Sequence, residues 1–223
     1  MLLFVAADPM EFQGLIGFCR NPAAQKLPVR WARQADLHGE SILMIANGAG
    51  AKPAAAALDA AHDVRAIVST GFCGALDPAL RIGDIFVASA INGTPIPTPH
   101  SKRPHATGAL ASIDHIAQTA AEKQKLKAQG AQAVEMEAAG VQERAKALNL
   151  PFFCVRSVTD LADETFANDL NAALRHDGHF DTMQILRSAM RHPLSRIPEL
   201  VRLRHRCGIA ARALGEFLAD CRF

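Results

Sequence analysis

The chain has 223 residues, of which 49% are hydrophobic and 21% charged, so it is long enough for a packed core and too apolar for a disordered protein. The formal net charge of +2 gives no electrostatic reason to expect nucleic acid as a partner. No apolar run approaches the roughly 18 residues of a membrane span, and no basic region precedes the apolar start, which argues against a signal peptide. The five widely spaced cysteines predict no disulfide framework and a cytoplasmic location.

The predicted elements alternate between strands and helices along the chain. Apolar or alternating runs predict strands at residues 2–6, 29–37, 41–46, 66–70, 84–90, 131–136 and 151–158. Helical patterns occupy residues 11–19, 52–62, 119–129, 137–148, 162–175, 182–191 and the chain from 198 onward. The proline-rich segment 93–104 predicts a loop. The alternation predicts a partly parallel α/β sheet with helices on its faces, in a single domain over residues 1–223.

Polar residues follow four predicted strands, at the position where open α/β sheets bind ligands. The four segments are residues 6–11, 69–74, 134–140 and 155–163. The glycines of the second segment are expected to let a ligand approach the backbone. Taken singly, each has an ordinary structural explanation. Glu11 suits a solvated helix, and many loops need glycine. Glu135 and Glu137 suit the acidic first turn of a helix. Asp160 or Asp163 suits an N-cap.

Together, these segments resemble the 5′-methylthioadenosine/S-adenosylhomocysteine nucleosidases of the nucleoside phosphorylase superfamily (purine nucleoside phosphorylase type). The most specific part is the pair VEMEAAG from Val134 and VRSVTDLAD from Val155. The glycine turn NGAGAK from Asn47, the loop TGFCGAL from Thr70 and the GDI that begins at Gly83 are similar to further family motifs. The resemblance implies a three-layer α/β/α sandwich with a mixed, partly barrel-like central sheet. It also implies an enzyme that cleaves the N-glycosidic bond between ribose and a purine, without a cofactor.

The resemblance implies two catalytic carboxylates. Asp160 matches the general acid that protonates the leaving purine, normally at N7, and burial should raise its pKa. Thr159 would orient Asp160. Glu11 stands where the phosphorylases place a phosphate-binding arginine, and a carboxylate there repels phosphate and can act as general base on water. Hydrolysis that releases adenine is therefore expected, rather than phosphorolysis.

Further residues match substrate contacts of the family. Glu137 matches the carboxylate that accepts hydrogen bonds from the ribose hydroxyls, and Glu135 matches a supporting carboxylate. Met136 would pack on the ribose face. Ile116 takes the place of an aromatic residue against the purine, and Arg156 matches a residue near the nucleophile. The nucleophile loop comprises Gly71, Phe72, Cys73 and Gly74. Its second residue is commonly a serine in the family, and its cysteine is expected to be a small buried side chain.

The C-terminal segment departs from the family. Residues 181–223 carry 8 arginines and 4 acids, a local charge of +4, so the rest of the chain sums to −2. The extension and the FCGALDP loop resemble a branch linked to hopanoid synthesis, which removes adenine from adenosylhopane. Residues 88–108 are shorter than the usual family loop, which implies an open 5′ side of the pocket. Anionic lipid headgroups are the expected partners of Arg187, Arg191, Arg196, Arg202, Arg204 and Arg206. The alternative is a solvated helix packed on its own domain.

Two other functions stay open at this level. One is a phosphate-dependent purine nucleoside phosphorylase, and the other is a catalytically silent nucleoside-binding protein on the same fold. No metal site is expected, because His100, His105 and His115 lack the spacing of zinc ligands. A homodimer is expected, because the family usually completes its pocket with a neighbouring subunit.

Overall fold

The computed structural model describes residues 1–175 and 177–223. The strands are β1 Leu2–Ala6, β2 Arg20–Ala24, β3 Trp31–Leu37, β4 Glu40–Ala46, β5 Ala66–Ala75, β6 Ile85–Ile91, β7 Thr94–Pro95, β8 Ala106–Ser112, β9 Ala133–Glu135 and β10 Phe152–Asp160. The helices are α1 Gln13–Ile16, α2 Ala51–Asp59, α3 Ala120–Ala128, α4 Ala138–Ala147, α5 Leu170–Ala173, α6 Thr182–Arg191 and α7 Pro193–Asp220. A 3₁₀ turn, Pro9–Phe12, leads into α1.

These strands form one mixed sheet that closes partly on itself. Along the sheet the order is β2-β3-β4-β1-β5-β9-β8-β6-β10, and β10 also pairs with β5. The pairing of β10 with β5 closes a ring of five strands, which is the barrel-like part of the sheet. β1 is parallel to β4 and β5, whereas β9 is antiparallel to β5. The prediction of a mixed, partly barrel-like sheet is confirmed.

The central strands are apolar on both faces because helices cover both faces. In β1, Leu3 and Val5 pack in the core beside α2 and α4, whereas Leu2 and Phe4 pack in the core beside α1 and α7. A strand buried on both sides has a continuous apolar run instead of an alternating one. This explains the pattern at the start of the chain and confirms the predicted three layers.

Several predicted boundaries are wrong. β5 does not end at residue 70 but continues through Gly71 to Ala75, because β10 pairs with it along this length. The helix predicted over residues 162–175 is a loop followed by the single turn α5. Side chains from elsewhere hold this loop: Gln118 Oε1 accepts the Leu170 N–H at 2.6 Å, and Glu199 accepts the Asn168 N–H at 2.8 Å. Such tertiary contacts leave no helical period in the sequence. β2 and β8 were not predicted.

Helix α7 has two halves with different surroundings. Its second half is buried in the core against α1, and the residues concerned are Cys207, Ala210, Ala211, Leu214, Phe217 and Leu218. Its end also holds the proline-rich segment, since the His100 N–H donates to Arg222 O at 3.0 Å and Ser101 Oγ lies 3.0 Å from Asp220 Oδ2. Its first half is largely exposed, and Leu194 is 95% accessible, although Glu199 is buried against the loop at Asn168. The alternative of a helix packed on its own domain therefore holds for the second half.

The two halves of α7 predict opposite responses to truncation of a leucine. We expect Leu214→Ala to lower the free energy of unfolding by about 3 kcal/mol, because it leaves a cavity in the core between α7 and the sheet. Leu194→Ala on the same helix is the matched control and should change it by less than about 0.5 kcal/mol. Urea denaturation measures both values. Equal effects would contradict the assignment of the second half to the core.

Candidate active site

A cavity of about 230 Å³ opens where β1, β5, β9 and β10 end. The chain segments that follow these strands are far apart in sequence but meet here, as expected for an α/β sheet. Most of the predicted site residues lie on its wall: Glu11, Phe72, Cys73, Gly74, Ile116, Glu135, Met136, Glu137, Thr159 and Asp160. Gly71 and Arg156 do not line the cavity. The structure therefore brings the predicted residues together, while their catalytic roles stay predictions.

Glu11 is buried, so the alternative of a solvated helix residue is wrong. Its Oε2 accepts the N–H groups of Ala7 at 2.8 Å and Asp8 at 2.9 Å, and its Oε1 accepts the Phe72 N–H at 2.8 Å. The Asp8 side chain caps the 3₁₀ turn that carries Glu11. Burial raises the pKa of Glu11 to about 7, although the hydrogen bonds and the nearby Arg156 oppose the rise. A carboxylate with this pKa changes protonation state near neutral pH, as a general base must.

The two glycines in the last part of β5, Gly71 and Gly74, make room for carboxylates of the protein itself. A Cβ at Gly71 would lie 2.4 Å from Glu11 Oε1, and φ at Gly71 is +141°. A Cβ at Gly74 would lie 2.7 Å from Asp160 Oδ2. The sequence predicted that these glycines let a ligand approach the backbone. For Gly71 this is wrong, because Glu11 occupies the space in question.

The close approach at Gly74 predicts a loss of activity from one methyl group. We expect Gly74→Ala to displace the Asp160 carboxyl group and lower kcat by about 10²-fold, since small misplacements of reacting groups have effects of this size. Gly208→Ala on α7 is the control, because a Cβ there meets no atom within 4 Å. Steady-state kinetics with a purine nucleoside compares the two variants. Unchanged kcat in Gly74→Ala would show that the position of Asp160 does not limit turnover.

Asp160 lies at the end of β10 and is held from two sides. Lys123 of α3 forms an ion pair with Asp160 Oδ2, and Thr159 Oγ1 lies 3.1 Å from Asp160 Oδ1. Burial raises the pKa of Asp160, while Lys123 and Thr159 oppose the rise. The side chain of Asp160 is not an N-cap, since no helix begins at this position. The position of Thr159 supports its predicted role in orienting the carboxyl group.

Arg156 and Glu135 form a buried ion pair behind the cavity wall. Arg156 Nη2 lies 2.5 Å from Glu135 Oε2 and donates to Ser69 Oγ at 2.8 Å. Glu135 also accepts the N–H groups of Glu137 and Ala138 at 3.0 Å and 2.9 Å. The expected helix-start role of Glu135 is thus present, and the pair fixes the backbone at the start of α4. Arg156 supports this strand end from behind the wall, and its predicted place near the nucleophile stays a prediction.

Glu137 faces the cavity and accepts one strong backbone hydrogen bond. Its Oε1 accepts the Gly50 N–H at 2.9 Å, which ties it to the glycine turn before α2. Burial and the nearby Glu135 raise the pKa of Glu137 to about 8. Met136 is buried beside it on the wall. A carboxylate and a thioether side by side suit the polar edge and the apolar face of a sugar.

Several residues at the site were not predicted. Lys123 sits in a polar helix whose pattern gave no reason to expect burial, yet it is 1% exposed. Phe166 and Phe180 supply aromatic rings to the cavity beside Ile116. Leu203 and Cys207 of α7 complete the wall, so the C-terminal extension is part of the site. These positions depend on loop and helix packing and leave no local motif.

The cysteine thiols near the cavity are buried and are not expected to react. Burial raises the pKa of the Cys73 thiol well above its usual value, which fits the predicted small buried side chain. All five cysteines are free thiols. Within residues 1–175 and 177–223, no three His, Cys, Asp or Glu side chains are grouped as metal ligands. Over the same residues, no helix combines the length and apolar character needed to cross a bilayer.

The fold and the site define an α/β protein whose barrel-like sheet carries buried carboxylates at its strand ends. The sequence profile of the Phosphorylase superfamily matches residues 4–112 and 98–189. The chain belongs to this superfamily, which confirms the membership predicted from the motifs. A search by sequence among curated proteins finds no match.

Solved structures share this fold over nearly the whole chain. The MTA/SAH nucleosidase of Streptococcus pneumoniae, in complex with 8-aminoadenine, superposes with a TM-score of 0.72 at 19% identity and covers 98% of this chain and 97% of its own. The 5′-methylthioadenosine/S-adenosyl homocysteine nucleosidase of Helicobacter pylori gives 0.71 at 17%, with 97% and 95% covered. A futalosine hydrolase mutant of Helicobacter pylori gives 0.71 at 16%, with 98% and 96% covered.

Proposed function

We propose that the protein hydrolyses the N-glycosidic bond of a purine nucleoside and releases adenine. In this proposal Glu11 accepts a proton from the attacking water, and Asp160 protonates the purine at N7 as the bond to ribose breaks. Glu137 accepts hydrogen bonds from the ribose hydroxyls and lies close to the positive charge that develops on the sugar. The observation that carries the proposal is one cavity lined by all three carboxylates, with Glu11 poised near neutral pH.

The choice of water over phosphate rests on the charges around Glu11. Among the described residues that line the cavity, none is arginine or lysine. The nearby guanidinium of Arg156 is buried and already paired with Glu135. The one histidine on the wall, His115, is already engaged by Asp114 and Glu122. An anion such as phosphate would therefore meet the carboxylate of Glu11 without a free cation to neutralise it, which is unfavourable in a site of low dielectric constant. Water meets no such repulsion and finds an acceptor for its proton.

The experiment incubates the protein with 5′-methylthioadenosine, S-adenosylhomocysteine and inosine, each with and without phosphate. The proposal predicts free adenine and a free ribose product at a rate that phosphate does not increase. A strict requirement for phosphate, with a sugar 1-phosphate as product, would replace hydrolysis by phosphorolysis. If neither these nucleosides nor an adenosine with a long apolar 5′ group releases base, the nucleosidase function is wrong and a silent binding protein remains.

The cavity rim supports an apolar 5′ substituent on the substrate. Leu170, Phe180 and Leu203 line the cavity on the side of α6 and α7. These two helices also expose large apolar side chains, namely Met183, Leu186, Met190, Leu194, Ile197 and Val201. The sequence assigned the 5′ opening to the proline-rich segment, but that segment is tied to the end of α7 and does not line this cavity. The apolar side chains on the rim are therefore the contacts that a lipid-like 5′ group on an adenosine would make.

The same surface supports contact with an anionic membrane. Four arginines are exposed beside the apolar side chains: Arg187, Arg191, Arg202 and Arg204. Two others are engaged within the protein, since Arg196 donates to Ser188 and Arg206 pairs with Glu164 at 2.7 Å. Apolar side chains flanked by arginines are typical of helices that lie in a membrane interface and bind acidic headgroups. A substrate with a lipid-like 5′ group would be presented at such a surface.

Sedimentation with vesicles tests the membrane contact. We expect the protein to sediment with phosphatidylglycerol vesicles and much less with phosphatidylcholine vesicles, and Met190→Glu/Leu194→Glu should abolish it. Leu148→Glu, directly after α4 and outside this surface, is the control. Equal sedimentation with both lipids, or loss of a dimer in the double variant by ultracentrifugation, would contradict membrane docking and make the surface a subunit interface. The expected homodimer and cytoplasmic location stay predictions.

A further inference from the structure

Lys123 is a buried lysine to which the proposed reaction assigns no role. It is 1% exposed, and its Nζ pairs with Asp160 Oδ2 and donates to Leu161 O at 2.7 Å. The ring of Phe166 lies 5.5 Å from Nζ. A buried ammonium needs compensation of this kind, because an unpaired one is strongly destabilising. All of its described partners belong to the loop and strand end that carry the general acid.

The arrangement poses a problem for Asp160 as an acid on its own. Lys123 and Thr159 are donors facing its two oxygens, and donors to both oxygens favour the ionised carboxylate. An ionised carboxylate has no proton to give to a purine. The ion pair nevertheless contains a proton that can move from the ammonium of Lys123 to the carboxylate of Asp160. This transfer gives an amine and a carboxylic acid, and the pair as a whole neither gains nor loses a proton.

We propose that Lys123 positions the general acid and stores its proton, so that the Lys123–Asp160 pair supplies the proton that reaches N7 of the leaving purine. An Nζ–H bond of Lys123 breaks as an O–H bond forms on the Asp160 carboxyl group. That O–H bond then breaks as N7–H forms, while the electron pair of the broken glycosidic bond goes to the purine. Lys123 is left as an amine and Asp160 as a carboxylate. A proton from solvent restores the ammonium after adenine leaves, which balances the proton that Glu11 takes from water.

The other charged groups near Asp160 do not supply this proton. Glu164 follows β10 and pairs with Arg206 of α7 at 2.7 Å, so this second pair has no net charge. The thiols of Cys73 on β5 and Cys207 on α7 also lie near Asp160, and burial raises the pKa of both. A guanidinium does not release its proton in proteins, whereas a buried lysine can. Lys123 is thus the donor in contact with the acid.

The inference rests on the proposed nucleosidase function, and its test compares Lys123→Arg and Lys123→Met by the pH profile of kcat. Arginine keeps the charge and the hydrogen bond but retains its proton, so kcat of Lys123→Arg should be about 10²-fold below that of the wild type at neutral pH. This ratio should approach one in acid, where Asp160 is protonated directly and the protonation of Glu11 lowers the activity of both proteins alike. In Lys123→Met, kcat should fall with rising pH earlier than in the wild type, because only the carboxyl group stores the proton. Lys125→Arg, exposed on the same helix, is the control. KM should change little.

Two results would overturn the inference. Wild-type kcat in Lys123→Arg would show that only the charge is needed, and a Lys123→Met profile displaced to higher pH would show that Lys123 merely lowers the pKa of Asp160. If the variants do not fold, infrared difference spectra of the wild type against Asp160→Asn decide the question. The inference requires an ionised Asp160 at the pH of maximal kcat, and a protonated one refutes it. Absence of base release by the wild type would instead contradict the proposed function, and the infrared result would still stand.

Discussion

Asp160→Asn is expected to lower kcat for purine release by about 10²–10⁴-fold, because an amide keeps the shape of the carboxyl group but has no proton to transfer. KM should remain within a few fold, since the cavity wall and Glu137 are unchanged. The substitution also leaves the Lys123 ammonium buried without its anion, so the free energy of unfolding should fall by about 3 kcal/mol. Initial rates of adenine release and urea denaturation measure the two effects.

The control for this substitution lies three residues further along the chain. Asp163 is exposed and does not line the cavity, although it belongs to the same VRSVTDLAD motif. Asp163→Asn should keep full activity and stability. If the two variants lose activity equally, the motif is needed for the local structure of the site, and not because Asp160 supplies a proton. If Asp160→Asn keeps its activity, the general acid is another group.

Glu11→Gln is expected to give the second large effect, a loss of about 10²–10³-fold in kcat, because an amide cannot accept the proton of the attacking water. The wild type should also show a pH dependence that the variant lacks. Glu11 acts as a base only when ionised, and burial raises its pKa to about 7, so on the acid side of the profile activity should rise with pH through about 7. Glu143→Gln on the exposed face of α4 is the control.

The same carboxylate predicts a pH dependence of stability with a defined sign. The pKa of Glu11 is about 7 in the folded protein against 4.5 in the unfolded chain, so the unfolded state loses its proton first as pH rises. The folded protein should therefore lose stability relative to Glu11→Gln between about pH 4.5 and 7, by about 3 kcal/mol in total. Urea denaturation of both proteins across this range measures the difference. A constant difference would show that Glu11 is not desolvated, and a flat activity profile would show that it is not the base.

The carboxylates were predictable and their surroundings were not. Glu11, Glu137 and Asp160 lie at or after strand ends in motifs that keep their order along the chain. The parallel strands β1, β5 and β10 bring the ends near Glu11 and Asp160 together, whereas Glu137 follows β9, which is antiparallel to β5. The burial that sets their pKa values comes from residues far away in sequence. Gly71 makes space for Glu11, and Lys123 reaches Asp160 from a helix whose surface pattern is polar.

The C-terminal segment was also predictable in part from the sequence. Its charge and its helical period were visible in the sequence, which left open whether the helix is packed or free. The structure gives each half a different environment: Leu214 is buried in the core, whereas Leu194 is 95% exposed. Leu203 lies between them on the cavity wall. An amphipathic pattern reports that one face is apolar, but not which partner covers it.

The sequence by itself therefore determined the superfamily, the α/β class, the buried strands and which carboxylates are proposed as catalytic groups, because these depend on local periodicity and on short motifs. Only the tertiary structure decided the closure of the barrel through β10 and β5, the place of Arg156 behind the wall, and the pairing of Lys123 with Asp160. All three features depend on contacts between segments that are distant in sequence, and the strength of the two ion pairs also depends on their burial at low dielectric constant. Neither the contacts nor the burial can be read from the spacing of residues along the chain.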